Sequence, residues 1–278
     1  MIKPLVSVII PVYNNGDIIV NLLNSIKKQT YAKIEVIVVD DGSKDDTVSV
    51  AKKYTDKVFA RQHFERSVQR NFGAKKSKGM FLLFLDSDME LTANVISDCV
   101  LEMEKYKSLG GIIVPEKSRA NNFWEKVKVF ERSFYNQAGG DSTTDAARFF
   151  RREAFKKVGG YDESITGPED WDLPETIKKK GFSISRINSE IIHREKISSL
   201  YSLVKKKYYY GLKSNIYLKK QNISAFSAKT IYFLRPVFYK NWRKLMSHPI
   251  LSIGMFIVFV FELLGGGLGF LVGKYLDK

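Results

Sequence analysis

Three acidic clusters carry the chemical potential of this sequence. Asp40-Asp41 follows the predicted buried strand 34–39, Asp86-Ser87-Asp88 follows the apolar run 80–85, and Glu169-Asp170 sits within Gly167-Pro168-Glu169-Asp170-Trp171-Asp172. Asp86 and Asp88 are two residues apart, so in extended chain both point to one side and can share one hard divalent cation, which neutralises a diphosphate. An acid just past a buried strand, as at Asp40 and Asp41, can accept hydrogen bonds from a base or ribose. Taken singly, each cluster also fits plain turn chemistry. Gly42, Ser43 and Asp45 are turn and helix-cap residues, and Pro168 followed by acids suits a helix start.

The elements that must position these acids are legible from hydropathy. Residues 5–12 form a run rich in β-branched residues, followed by Ile18, Ile19, Leu22, Leu23 and Ile26 at helical spacing. That pattern predicts strand then helix. Strands are predicted at 34–39, 80–85 and 111–114, with a short helix at 47–54 between the first two. Such alternation implies an α/β fold with a mostly parallel sheet covered on both faces and ligands at the carboxyl ends of its strands. The turn after the first strand, Pro11-Val12-Tyr13-Asn14-Asn15-Gly16, has neither G-x-G-x-x-G nor G-x-x-x-x-G-K-[ST]. Hydride transfer on a dinucleotide and P-loop NTP hydrolysis are therefore excluded.

Composition narrows the classes further. The 278 residues include 45 Lys or Arg against 30 Asp or Glu, a formal charge of +15, with one Cys and three His. A single cysteine excludes a disulfide framework, and the few histidines without H-E-x-x-H argue against a zinc hydrolase. The apolar N-terminal stretch is too short for a signal peptide or a span. The charge is concentrated: twelve Lys or Arg and no acid lie between Lys196 and Pro249. Within this collar Leu200, Val204, Tyr208, Leu212 and Ile216 form one row at helical spacing, and Ile231, Leu234, Phe238, Trp242 and Leu245 another. Residues 249–273 follow, with Glu262 as their only charge. At about 1.5 Å per residue they are long enough for a hydrocarbon layer of roughly 30 Å. A basic collar beside an apolar segment predicts interfacial helices on an anionic membrane surface and no nucleic-acid partner, nucleic acid being the runner-up for this patch, with the preceding domain on the cytoplasmic side of the cell membrane. Glu262 is expected to face protein or the interface rather than lipid, and the glycines at 265–267 leave a spanning, bent or re-entrant course open.

The motifs together resemble the family 2 glycosyltransferases of the GT-A fold. The matching strings are Val8-Ile9-Ile10-Pro11-Val12-Tyr13-Asn14, Val38-Val39-Asp40-Asp41-Gly42-Ser43, Arg70-Asn71-x-Gly73, Leu85-Asp86-Ser87-Asp88, the stretch 148–152, Gly159-Gly160-Tyr161-Asp162-Glu163 and Glu169-Asp170-Trp171-Asp172-Leu173. The resemblance implies a Rossmann-like nucleotide-diphospho-sugar transferase fold. It implies that Asp40 and Asp41 contact the nucleoside, with Pro11 and Tyr13 lining its pocket, and that Arg70, Ser87 and Trp171 lie in the nucleotide-sugar site. It implies that Asp86 and Asp88 hold Mg²⁺ or Mn²⁺, joined by His193, and that Asp170 is the catalytic base with Glu169 beside it.

A carboxylate base suits a hydroxyl acceptor, whose proton must leave during attack, whereas a lipid phosphate needs none. The expected reaction is therefore inverting, metal-dependent transfer of a hexose such as mannose or glucose to a membrane-borne, lipid-linked saccharide. Lys205, Lys206, Lys207 and Tyr208 are the candidates for holding the acceptor's phosphate. The alternatives are a polyprenyl-phosphate sugar synthase and a non-catalytic nucleotide-sugar-binding membrane protein. The expected division is 1–115 for the donor half, 116–197 for the acceptor half, 198–248 for interfacial helices and 249–278 for the membrane segment.

Overall fold

The computed structural model describes residues 3–135 and 146–276, which group into two compact units. The first unit comprises Met1–Lys117, Ala146–Glu163 and Asp170–His193, and the second Ser118–Asp145, Ser164–Glu169 and Arg194–Lys278. In chain order the elements run β1 (Val6–Val12), α1 (Gly16–Lys27), β2 (Ile34–Asp40), α2 (Thr47–Lys52), β3 (Val58–Ala60), α3 (Arg66–Lys76), β4 (Phe81–Phe84), β5 (Met89–Leu91), α4 (Val95–Lys105), β6 (Leu109–Ile113), β7 (Glu116–Arg119), α5 (Phe123–Arg132), β8 (Ala147–Arg151), α6 (Arg152–Lys157), α7 (Glu169–Lys179), β9 (Ser183–Arg186) and β10 (Ile191–Arg194). Then follow α8 (Leu200–Gln221), a 3₁₀ turn at Tyr232–Leu234, α9 (Pro236–Lys240), α10 (Trp242–Ser247) and α11 (Pro249–Leu276).

In the first unit a seven-stranded sheet has the order β3-β2-β1-β4-β8-β6-β9, parallel except for β8, which runs antiparallel to both neighbours. β4 reads as an unbroken apolar run, and β1 as one interrupted only by Ser7, because both of their faces are covered. Val8 and Ile10 join the cluster on one face with Leu22, Leu83 and Cys99, while Ile9 joins that on the other with Leu82, Phe84 and Phe150. Each such side chain contributes roughly 1.5–3 kcal/mol on burial. On the second face α3 approaches very closely, since a Cβ on Gly73 would stand 2.5 Å from Ile9. A smaller sheet, β5-β10-β7, sets His193 opposite Met89.

The antiparallel β8 is not evident from sequence. Its pattern Ala-Arg-Phe-Phe-Arg looks amphipathic, yet all five residues are buried. Arg151 is accommodated by donating from Nε to the carbonyl of Leu109 and from Nη2 to that of Met103.

The second unit is helical. α5 and α8 begin with reciprocal capping boxes, Asn122 with Glu125 and Ser199 with Ser202, which satisfy amide groups of the first turn. Its core gathers Val127 and Phe130 of α5, Leu203 of α8, Phe238 of α9, and Met255, Val258 and Phe259 of α11. Two expectations for the collar meet different outcomes. The 200–216 row lies on one long helix, α8. The 231–245 row does not form one helix: Arg235 is extended at ψ 124° before Pro236, because the proline ring disfavours helical geometry in the residue ahead of it. Residues 249–276 are a single uninterrupted helix that runs through the glycines at 265–267. Glu262, 5% exposed, faces protein and accepts hydrogen bonds from Lys128 Nζ at 2.9 Å, with Lys207 Nζ at 3.2 Å.

Candidate active site

The carboxyl ends of β1, β2 and β4 lie side by side in the sheet, and the loops that leave them carry the first unit's charged cluster. The β1–α1 and β2–α2 loops are sewn together. The Asn14 amide donates to Ser43 Oγ at 2.8 Å, and Asn14 Oδ1 accepts from the Lys44 amide at 2.8 Å. Asn14 has a left-handed φ of 45°, a conformation Asn adopts more readily than most residues. Asn15 Nδ2 donates to Ser87 Oγ at 2.6 Å, tying these loops to the Asp86-Ser87-Asp88 turn.

Asp40 and Asp41 do different things. Asp40 Oδ2 accepts from the amides of Gly42 and Ser43 at 3.2 and 3.1 Å, closing a turn in which Gly42 takes φ +82°. Its other oxygen, Oδ1, is buried and has no hydrogen-bond partner. Asp41 Oδ1 accepts from the Phe64 amide at 2.8 Å and from Gln69 Nε2, while Oδ2 lies 2.7 Å from His63 Nδ1. The His63 ring centre lies 5.1 Å from that of Tyr13, and both are exposed, so Asp41 is joined through His63 to a pair of exposed rings. Pro11, half-buried, pairs with Val39 at the adjoining strand ends.

Arg70 is the centre of the second cluster. It projects from α3 with its side chain fully buried. Nη1 donates to Asp170 Oδ1 at 2.5 Å and Nη2 to Asp86 Oδ1 at 2.8 Å. Its guanidinium also lies 5.1 Å from the Tyr161 ring centre. Arg148 Nη1 approaches Asp86 Oδ2 at 3.6 Å. Burial pushes the Asp86 carboxyl up, but the Arg70 and Arg148 charges outweigh it and hold the acid well below the usual carboxylate range. The rest of the Arg70-Asn71-x-Gly73 string is equally determined. Asn71 donates to the Tyr161 carbonyl and to Glu163 Oε1, and accepts from the Tyr161 amide, so α3 pins the Gly159–Glu163 segment in place.

Asp88 faces a different set. Its Oδ1 lies 3.6 Å from His193 Nε2, and His193 Nδ1 lies 3.1 Å from Glu116 Oε2. Glu116 also receives Arg148, from Nε at 2.8 Å and Nη2 at 2.7 Å. Among the described residues no three His, Cys, Asp or Glu side chains converge as a ready cation cage. The chain instead offers a carboxylate and an imidazole, Asp88 and His193, with Glu116 taking the other ring nitrogen. That is the outer-shell arrangement which orients a ligating histidine. The carboxylate suits a hard divalent cation, which binds through one or two carboxylates plus waters and substrate phosphates, and the imidazole beside it suits Mn²⁺ better than Mg²⁺.

Thus the structure brings Asp86, Asp170 and Arg70 into one hydrogen-bonded group, sets Asp88 within ion-pair distance of His193, and joins Asp41 to the Tyr13 ring through His63, all in the first unit. Trp171 is half-buried in the same unit, next to Asp170 in sequence. Glu169, Lys205, Lys206, Lys207 and Tyr208 belong to the second unit. There Lys205 and Lys206 are exposed, whereas Lys207 turns inward to Glu262, so the three lysines do not form one surface. Two residues of the clusters were not singled out from sequence, His63 and Glu116. Both follow apolar runs shortly after a strand, and the acid-at-strand-end pattern that marks Asp40 extends to Glu116.

Residues 7–159 match the family described as glycosyl transferase family 2. The chain belongs to this family. Among relatives of this glycosyltransferase, an uncharacterised glycosyltransferase of Rickettsia typhi is 31% identical over 188 residues, 62% of this chain and 58% of that protein. The chain thus spans under two-thirds of that relative's length. The poly(ribitol-phosphate) β-N-acetylglucosaminyltransferase TarS of Staphylococcus aureus is 36% identical over 110 residues, 37% of this chain and 19% of TarS. Among solved structures, the mannosyltransferase PcManGT of Pyrobaculum calidifontis, in complex with GDP-Man and Mn²⁺, superposes with a TM-score of 0.62 at 18% identity, covering 100% of this chain and 88% of that one. TarS residues 1–349 in complex with UDP-GlcNAc give 0.58 at 17% identity, over 98% and 91%. The glycosyltransferase has the GT-A fold of these neighbours, with a C-terminal apolar helix as a candidate membrane segment.

Proposed function

We propose that this glycosyltransferase moves a hexose from a nucleotide sugar to a hydroxyl of a membrane-borne, lipid-linked saccharide, with inversion at the anomeric carbon. The observation that carries the reading is the buried Arg70 guanidinium joining Asp86, at the end of β4, to Asp170, at the start of α7. It sets a carboxylate base beside the region where a leaving diphosphate is stabilised.

In this reading the nucleoside lies against Tyr13 and His63, with Asp41 accepting hydrogen bonds from its polar edge. The unpaired Asp40 Oδ1 supplies a further acceptor. A divalent cation held by Asp88 and His193 would neutralise charge as the diphosphate departs. Arg148, held by Glu116 and directed at Asp86, adds fixed positive charge to the same region. Asp170 Oδ accepts the acceptor hydroxyl's proton during attack, and Arg70 fixes the carboxylate for it. The GDP-Man and UDP-GlcNAc complexes of the structural neighbours support a nucleotide-sugar donor. The basic collar and apolar α11 support an acceptor carried by a membrane on the side of the catalytic unit.

The test is transfer from radiolabelled GDP-mannose and UDP-glucose to extracted membrane lipids, with wild type and Asp170→Asn. Label that mild acid releases from the lipid fraction as a di- or oligosaccharide, lost in Asp170→Asn with nucleotide binding intact, is expected. Label released as the free monosaccharide would instead establish a polyprenyl-phosphate sugar synthase. Tight donor binding without turnover on any lipid fraction would sink the enzymatic reading.

A further inference from the structure

The 28-residue helix α11 meets the length and composition requirement for a span, but its packing partner is incompatible with one. Gly265, Gly269 and Gly273 lie on one face, and all three are pressed against the backbone of α8. A Cβ at these positions would stand 2.5 Å from the Val204 carbonyl oxygen, 2.1 Å from that of Tyr208 and 2.0 Å from that of Leu212. From α8, a Cβ on Gly211 would stand 2.5 Å from the Gly266 carbonyl oxygen. The contact advances four residues at a time along both helices in the same direction, so α8 and the carboxyl half of α11 run parallel, backbone against backbone. Small residues at such spacing permit this close approach.

α8 is one of the most basic elements of the chain. Lys205, Lys206 and Lys213 flank the glycine seam, with Lys205 and Lys206 exposed, and Lys219 and Lys220 follow. Were α11 to cross a bilayer, α8 would be carried into the hydrocarbon beside it, lysines included. The amino half of α11 is covered in another way: Gly254 packs on Val127 and Phe123 of α5, and Glu262 is neutralised by Lys128 and Lys207. What remains uncovered is a second stripe at helical spacing, in which Ile253, Phe256, Leu264, Leu268, Leu271 and Tyr275 are each more than half exposed. An apolar stripe on a helix whose neighbour carries a row of lysines is the charge and hydropathy pattern of an element in the plane of an interface, its stripe among acyl chains and its cations at lipid phosphates.

We propose that α11 lies in the plane of one leaflet, docking on an anionic bilayer through this stripe together with the α8 lysines, and does not span the membrane. The inference deepens the membrane-borne reading of function and rests on it for the presence of a membrane.

The experiment uses the full chain. Flotation is measured with phosphatidylcholine vesicles with and without phosphatidylglycerol, for wild type and for Phe256→Glu and Leu268→Glu, both exposed positions that leave the core intact. Wild type is expected to float with the anionic vesicles in a salt-sensitive manner, and each variant to partition about tenfold less. Single cysteines at exposed sites, Leu101→Cys in the first unit and Tyr275→Cys near the end of α11, are then labelled on sealed vesicles with an impermeant maleimide; the native Cys99 is buried. Both are expected to react from the same side. Tyr275→Cys reacting only from the opposite side would overturn the in-plane placement while leaving a membrane-borne acceptor standing. Failure to float on any vesicle, with a dimer in solution that Leu268→Glu dissociates, would assign the stripe to a second copy and remove the membrane from both readings.

Discussion

Arg70 and Asp170, 100 residues apart in sequence, meet at 2.5 Å between Nη1 and Oδ1, and the same guanidinium holds Asp86. A single buried cation therefore fixes the relative position of two acids that arrive from different parts of the chain. Asp170→Asn keeps the shape of this contact but removes the proton acceptor. It is expected to lower kcat by about 10²–10⁴ with little change in nucleotide affinity, the range for loss of a general base. Near-wild-type turnover in Asp170→Asn would remove Asp170 from the base role. Arg70→Leu is expected to be worse for the fold, by about 3 kcal/mol, because it leaves two carboxylates facing an apolar side chain. Chemical denaturation reads that difference directly.

How much of this was legible beforehand follows from which interactions are local. The strands β1, β2 and β4 and the acids at or just beyond their ends are readable because a doubly covered strand needs a largely apolar run, broken here only by Ser7 and Glu35 near the amino ends, and the ligand edge lies at its carboxyl end. β8 is hidden because its two arginines are satisfied by a carboxylate and by carbonyls brought in from distant segments, and hydropathy assigns them to solvent. The same limit hides the inward turn of Lys207. Its neighbours Lys205 and Lys206 are chemically identical, and only the position of Glu262, on another helix, selects the residue that is buried. The break in the 231–245 row was signalled locally by Pro236, whereas the Glu116 contact with His193 joins two small-sheet strands far apart in sequence.

The exposed Tyr13 and His63 rings pack together beside Asp41, which His63 contacts directly. Aromatic contact with a base is worth on the order of 1 kcal/mol per ring beyond area burial. Tyr13→Ala and His63→Ala are each expected to weaken UDP or GDP binding about five- to tenfold in titration calorimetry, with stability nearly unchanged since both side chains are exposed. If neither change alters affinity, the nucleoside does not lie on these rings.

Glu116 touches no proposed substrate atom, so its effect would be exerted through His193 and Arg148. Glu116→Gln retains size but removes the charge that orients the imidazole. The expected result is about a 10- to 100-fold loss of Mn²⁺ affinity, read by Mn²⁺ electron paramagnetic resonance without turnover, the range seen when an outer-shell carboxylate is removed. Unchanged Mn²⁺ binding in Glu116→Gln together with loss in His193→Ala would confine Glu116 to holding Arg148.

Glu35 ties the amino ends of β1, β2 and β4 together. It accepts from Ser7 Oγ at 2.5 Å, from the amides of Lys78 and Gly79 at 2.5 and 3.0 Å, and pairs with Lys57. Burial raises its carboxyl, but the bonds from Lys57, Ser7 and Lys78 prevail and bring it down from 4.5 to about 2. A carboxyl with a depressed folded-state pKa contributes stability that is fully present above its unfolded value and is lost as pH falls toward the folded one. The stabilisation from Glu35, about 1–2 kcal/mol once screening by solvent is allowed for, is therefore complete above pH 5 and disappears between about pH 4.5 and 2. Urea denaturation at a series of pH values is expected to show a shallower decline over that window for Glu35→Gln than for wild type. Parallel curves for the two proteins would mean that other carboxylates govern acid stability and that Glu35 holds the strand ends without being charged.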